Sequence, residues 1–113
     1  MNTIAQNLAT VNARIAQAEI RFGRTPNAAK LLAISKFHDA QAIRAAYQAG
    51  QICFGESYLQ EALSKMEALR DLPLEWHFIG PLQANKTRDV ASYFDWVHSV
   101  EREKIAQRLI LEL

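Results

Sequence analysis

Four short apolar runs, beginning near Leu31, Gln51, Leu74 and Asp95, recur about every twenty residues, and a helical pattern fills each interval. No other feature narrows the fold as much. A strand followed by a helix, repeated in order, predicts parallel strands joined by right-handed crossovers. A continuous apolar run such as Leu31-Leu32-Ala33-Ile34 reads as a strand of a parallel sheet buried on both faces. One helix precedes the series. Ile4, Leu8, Val11, Ile15, Ala18 and Phe22 recur at steps of four and three as a single apolar stripe. Gly23 supplies its stop, and Thr25-Pro26-Asn27 make a turn.

The punctuation of the later units is specific. Asp39 is placed to cap a helix carrying Ile43, Ala46 and Tyr47, which Gly50 ends. Ser57 and Gln60 fit a capping box ahead of Leu59, Leu63, Met66 and Leu69. A shorter helix is expected from about Gln83 to Tyr93, after Gly80-Pro81, and a last one from Ser99 or Val100 through Ile105, Leu109 and Ile110. A closed barrel takes eight strand–helix units and about 250 residues. The 113 residues here hold four units and stop inside the last helical pattern. An open nucleotide-binding sheet would call for a dinucleotide glycine fingerprint or a Walker loop, and the sequence has neither. The expected fold is therefore α/β: the N-terminal half of a (β/α)8 TIM-type barrel, with four parallel strands and their helices behind an N-terminal helix. Residues 1–113 make one partial domain. Such a half leaves two strand edges and interior apolar side chains uncovered, so self-association through the open barrel edges is expected.

Charge and cysteine content exclude several classes of function. Thirteen basic and twelve acidic residues give a net charge of +1, with no electrostatic footprint for nucleic acid or an anionic membrane. The residues from Met1 to Asn7 lack the pattern of a signal peptide, and no stretch is long and apolar enough to span a bilayer. A cytoplasmic protein is expected. Cys53 is the single cysteine, which precludes an internal disulfide; it reads as a small buried hydrophobe in a strand. His38, His77 and His98 show no close metal-ligand spacing, so no metal is expected from spacing alone.

Lys36 is the chief candidate for chemistry. It ends the first apolar run, and the carboxyl ends of strands are where α/β folds place their sites. Strand alternation would put it on one face with Leu32 and Ile34. Desolvation there would favour the neutral, nucleophilic amine that a Schiff-base lysine needs, whereas a lysine merely closing a strand would point into water. Ser57 either lines a pocket at the end of the second strand or caps the helix that follows. His77 faces opposite to Trp76 and Phe78, as a hydrogen-bonded core histidine or a cofactor contact. Asn85 and Lys86 open a helix, either as cap and solvated face or as a contact. Trp76 and Trp96 are expected in the core.

Four strings together carry a resemblance. They are Leu31-Leu32-Ala33-Ile34-Ser35-Lys36, Phe54-Gly55-Glu56-Ser57-Tyr58-Leu59-Gln60-Glu61-Ala62, the segment from Trp76-His77-Phe78-Ile79-Gly80-Pro81 to Lys86, and Phe94-Asp95-Trp96-Val97-His98-Ser99-Val100. In these the chain resembles the pyridoxal phosphate homeostasis proteins, relatives of the alanine racemase N-terminal barrel. The match runs from about residue 4 to residue 110, and covers the N-terminal half of that barrel. The resemblance implies that Lys36 holds pyridoxal 5′-phosphate as an internal aldimine, with Ser57 and His77 as candidate cofactor contacts. It implies a carrier in vitamin B6 and amino-acid homeostasis rather than an enzyme. A fragment of a racemase or decarboxylase on the same barrel type, or a half-barrel without independent function, is the alternative. It also implies phosphate-gripping loops in the other half, so weak cofactor affinity is expected of this half alone. Two strings depart from the family pattern. Phe37-His38-Asp39 stand where Thr-Lys-Pro is usual, and Gly55-Glu56-Ser57 where Gly-Glu-Asn is usual.

Overall fold

Thr3 and Gln6 open the first helix by exchanging hydrogen bonds. Thr3 Oγ1 accepts from the Gln6 amide at 3.1 Å, and Gln6 Oε1 accepts from the Thr3 amide at 2.8 Å. The computed structural model describes residues 3–98, and in it this helix, α1, runs Ile4–Arg21. Gly23, with φ of 67°, takes the chain out of it as expected. The apolar stripe is only partly used. Ile4 and Leu8 pack against the core, whereas Ile20 and Phe22 are exposed, because only the first half of α1 lies over α2 and the sheet.

Four strands with three helices between them follow in the predicted order among the described residues. The strands are β1 (Ala33–Ile34), β2 (Cys53–Glu56), β3 (Glu75–Phe78) and β4 (Trp96–Val97). Between them lie α2 (Ala40–Gln48), α3 (Leu59–Ala68), and a 3-10 turn at Ala84–Lys86 that leads into α4 (Thr87–Tyr93). Asp39 caps α2, its carboxylate accepting from the Ala42 amide at 2.8 Å, and Gly50 at φ 101° leaves it. The expected capping box of α3 does not form. Its N-cap is Tyr58, without a side-chain hydrogen bond, so the helix starts one residue beyond the place where Ser57 would serve. The predicted helix from Ser99 lies outside the described residues.

All strand pairs are parallel, in the order β1-β2-β3-β4. This is the arrangement of half a (β/α)8 barrel. Pleating sends alternate residues to opposite faces. Phe54, Trp76 and Phe78 are buried with Ile43 and Ala46 of α2, Leu59 and Ala62 of α3, and Val90 of α4. The larger of these, such as Phe54, Ile43, Leu59 and Val90, each contribute roughly 1.5–3 kcal/mol through the apolar area they remove from water. The other face carries Ile34, Gly55, His77 and Trp96 side by side in register. Among the described residues that face is open: Ile34 is 48% and Trp96 55% exposed. An uncovered interior face is what half a barrel is expected to leave, but the expectations that the first run is buried on both faces and that Trp96 lies in the core are corrected. Trp76 lies in the core as expected. Trp96, on an edge strand and the opposite pleat, does not. Gly55 lets the open face close up locally, since a Cβ there would lie 2.8 Å from Ile34 Cδ1.

Candidate functional site

The ladder between β1 and β2 continues one residue past Ile34, where the Ser35 amide donates to the Gly55 carbonyl at 2.9 Å. The chain then turns. The His38 amide donates back to the Ser35 carbonyl at 3.0 Å, and Lys36 and Phe37 form the tip. Phe37 has φ of 66°, the left-handed region, which costs a bulky residue on the order of 1–3 kcal/mol and persists only where surroundings impose it. Three charged side chains impose it here. Glu61 Oε1 accepts from the Phe37 amide at 2.6 Å, and Lys65 Nζ donates to the Ser35 carbonyl at 2.7 Å. Lys65 also pairs with Glu56 at 3.0 Å and Glu61 at 2.7 Å, and Ser35 Oγ donates to Glu56. Glu56 is 0% and Lys65 7% exposed, so each charge needs the other as partner. Lys65 holds the Glu61 carboxyl below its ordinary range, and the Phe37 amide adds to the shift.

This network fixes the turn from beneath and leaves Lys36 above it, exposed. The desolvated apolar setting expected for the amine is not what the structure shows. Strand β1 ends two residues early, and Lys36 sits on a turn rather than on a covered pleat. Its surroundings are nonetheless concave. Lys36 lines a cavity of about 780 Å³ together with Ser57, Gly80, Pro81, Gln83 and Lys86. The cavity lies beyond the carboxyl ends of β2 and β3, the face on which parallel barrels build their sites.

Of the three candidate cofactor contacts, the structure brings Lys36 and Ser57 together and leaves His77 apart. Ser57 is released from capping, which leaves its pocket-lining role. His77 is on the open face of β3, its Nδ1 2.9 Å from His98 Nε2 and its ring stacked at 5.2 Å on His98 and 6.0 Å on Trp96. Lys86 joins the cavity as a second amine, the minority reading of its sequence position. The network of Glu56, Glu61 and Lys65 escaped the sequence reading. A signal for it was present: Glu56 shares the buried pleat of Phe54, and Glu61 and Lys65 stand four apart on one helix.

Cys53 is half-buried and hydrogen-bonded, rather than the small buried hydrophobe expected. Its Sγ donates to Glu75 Oε2 at 2.8 Å, because the parallel register sets Cys53 opposite Glu75. Burial, then the Glu75 carboxylate, push the thiol up to about 11, so it is no nucleophile at neutral pH. Among the described residues no helix is long and apolar enough to cross a membrane.

Comparison with known proteins gives a consistent set of relatives, although no protein-family model matches the chain. It is 60% identical over 109 residues to the pyridoxal phosphate homeostasis protein of Pseudomonas aeruginosa, covering 96% of this chain and 47% of that protein. It is 52% identical over 112 residues to the protein of the same name from Escherichia coli K12, covering 96% and 48%. The structure of PipY from Synechococcus elongatus with PLP bound superposes with a TM-score of 0.80 at 44% identity, over 95% of this chain and 46% of that one. A protein of unknown function from Bifidobacterium adolescentis superposes at 0.87 with 32% identity, over 94% and 47%. The chain thus spans about half the length of the curated relatives it matches.

Proposed function

We propose that this chain binds pyridoxal 5′-phosphate in the cavity above β2 and β3, anchored through Lys36, and serves vitamin B6 and amino-acid homeostasis as a carrier without turnover of its own. The observation that carries the proposal is the setting of Lys36. An accessible amine stands on a turn locked by buried charges and opens into a cavity of about 780 Å³. That volume is within the range of small-molecule sites. The cofactor's aldehyde would condense with Lys36 Nζ, releasing water, and a bound cofactor supplies an electron sink for amino-acid chemistry. Ser57 and Gln83 offer polar groups from the walls, and His77, on another face, is left out of the site. The likeness to PipY with PLP bound supports the same ligand here.

Residues 1–113 act in this proposal as one partial domain. Self-association covers the edges of β1 and β4 and the face bearing Ile34 and Trp96. A cytoplasmic setting suits the unpaired thiol of Cys53. The test is a titration of the purified chain with pyridoxal 5′-phosphate, followed by visible absorbance. The wild type should develop a Schiff-base band and Lys36→Ala should not. An equal band in both proteins contradicts the proposal.

A further inference from the structure

The open face of the sheet holds a second cluster of chemistry, at the other end of the strands from Lys36. Cys53 and Glu75 are the first residues of β2 and β3 and are paired in register, and His77 follows Glu75 by two, on the same pleat. One donor atom from each of Cys53, Glu75 and His77 lies within 4.8 Å of the other two. We propose that Cys53, Glu75 and His77 bind a borderline divalent cation of the zinc class, in a three-ligand site with a fourth position open to water.

The geometry is close to what such an ion requires. Zinc bonds of roughly 2.0–2.3 Å put neighbouring donors of a tetrahedron about 3.5 Å apart. His77 Nε2 and Glu75 Oε2 are 3.6 Å apart, at that edge length and too far for a hydrogen bond. His77 Nε2 is buried and is the one such side-chain nitrogen or oxygen without a hydrogen-bond partner among the described residues. An orphaned ring nitrogen beside a carboxylate and a thiol is a ligand in waiting, and leaving it dry and unpaired is costly. The outer contacts orient the ligands as metal sites do. His98 engages the other nitrogen of His77 at 2.9 Å, and Trp96 Nε1 donates to Glu75 Oε1 at 2.6 Å, leaving Oε2 for the ion.

The 2.8 Å contact of Cys53 Sγ with Glu75 Oε2 is a proton-bridged state. On binding, the S–H bond breaks, the S–metal bond forms and the proton leaves to solvent, with no change of oxidation state. The contact then opens to the tetrahedral edge, which Glu75, its side chain 33% exposed, has room to allow. Thiolate with imidazole selects zinc-like ions over magnesium or calcium, which take oxygen ligands.

Cobalt(II) tests the site through its spectrum and needs no cofactor. The purified chain, kept reduced with a phosphine, should bind one Co²⁺ with a thiolate charge-transfer band and four-coordinate visible bands, and Zn²⁺ should abolish both. Cys53→Ser should lose the thiolate band, and His77→Ala should lose about tenfold or more in affinity. Trp96→Phe should keep the band and bind about tenfold more weakly, as loss of an outer partner does. Far-ultraviolet circular dichroism identifies any variant that fails to fold, and Trp96→Phe then carries the comparison with wild type. No thiolate band in the folded wild type, or unchanged Co²⁺ affinity in a folded His77→Ala, overturns the site.

Discussion

Lys65 reaches from α3 to both the Ser35 carbonyl and the Glu56 carboxylate, so one buried amine supports the turn of Lys36 and neutralises a buried acid. Lys65→Met should leave Glu56 buried without its charge partner, the Ser35 hydroxyl alone still donating to it, and destabilise the fold by roughly 3–5 kcal/mol. Pairing it with Glu56→Leu should recover part of that loss, since an apolar pair of similar size is often tolerated. Urea midpoints for the single and double variants check the ordering. Equal midpoints for wild type and Lys65→Met would show that the pair supports nothing. Glu61 gives the network a pH dependence. Its folded carboxyl is held below the ordinary 4.5, chiefly by Lys65, so the ionised form adds stability above that value. The increment should fall away as pH drops through the folded pKa. The stability gap between wild type and Glu61→Gln, measured by urea at neutral and at acidic pH, should therefore shrink on acidification; a gap that widens contradicts the assignment. At this scale the position of Lys36 was legible, because an apolar run ending in an amine marks a strand end. Its exposure was not, since that depends on how far β1 pairs and on which partners the turn finds across the chain.

Elements were read well where their signals are local. The stop at Gly23, the cap at Asp39 and the exit at Gly50 all stand where the residues put them, because capping chemistry involves neighbours in sequence. Ser57 shows where local signals fail. Serine followed three residues later by Gln60 has the spacing of a capping box, yet β2 feeds the chain into α3 with Tyr58 at the cap. Two substitutions separate these cases. Asp39→Ala should cost about 1 kcal/mol for a lost cap, while Ser57→Ala should stay within about 0.5 kcal/mol and alter the cavity wall instead. Thermal or urea unfolding distinguishes them, and a cap-sized loss at Ser57 would contradict the structure. The helix from Gln83 to Tyr93 was placed correctly but begins as a 3-10 turn over Ala84–Lys86, which brings Lys86 to the cavity.

On the scale of the whole molecule, the repeated strand–helix spacing was enough to indicate four parallel strands in sequential order, and the structure has them. The sidedness of the sheet was not legible. The run Leu31-Leu32-Ala33-Ile34 is apolar on both pleats, and the alternation of Glu75 and His77 with Trp76 and Phe78 does not say which pleat the helices take. Only the pleat of Phe54, Trp76 and Phe78 is covered by helices among the described residues. An uncovered parallel face bearing Ile34 and Trp96, flanked by two short edges, should drive association. Sedimentation of the 113-residue chain should show dimers or larger species that dissociate on dilution; a stable monomer at every concentration contradicts that expectation. The central claim remains the amine at the mouth of the cavity, and one measurement reaches it directly: borohydride reduction of the chain mixed with pyridoxal 5′-phosphate, then peptide mapping. From its exposure, the locked turn and the shared cavity, the account predicts the reduced cofactor on Lys36. Labelling mainly at Lys86, the other amine of the cavity, or at Lys30, Lys65 or Lys104, would contradict it.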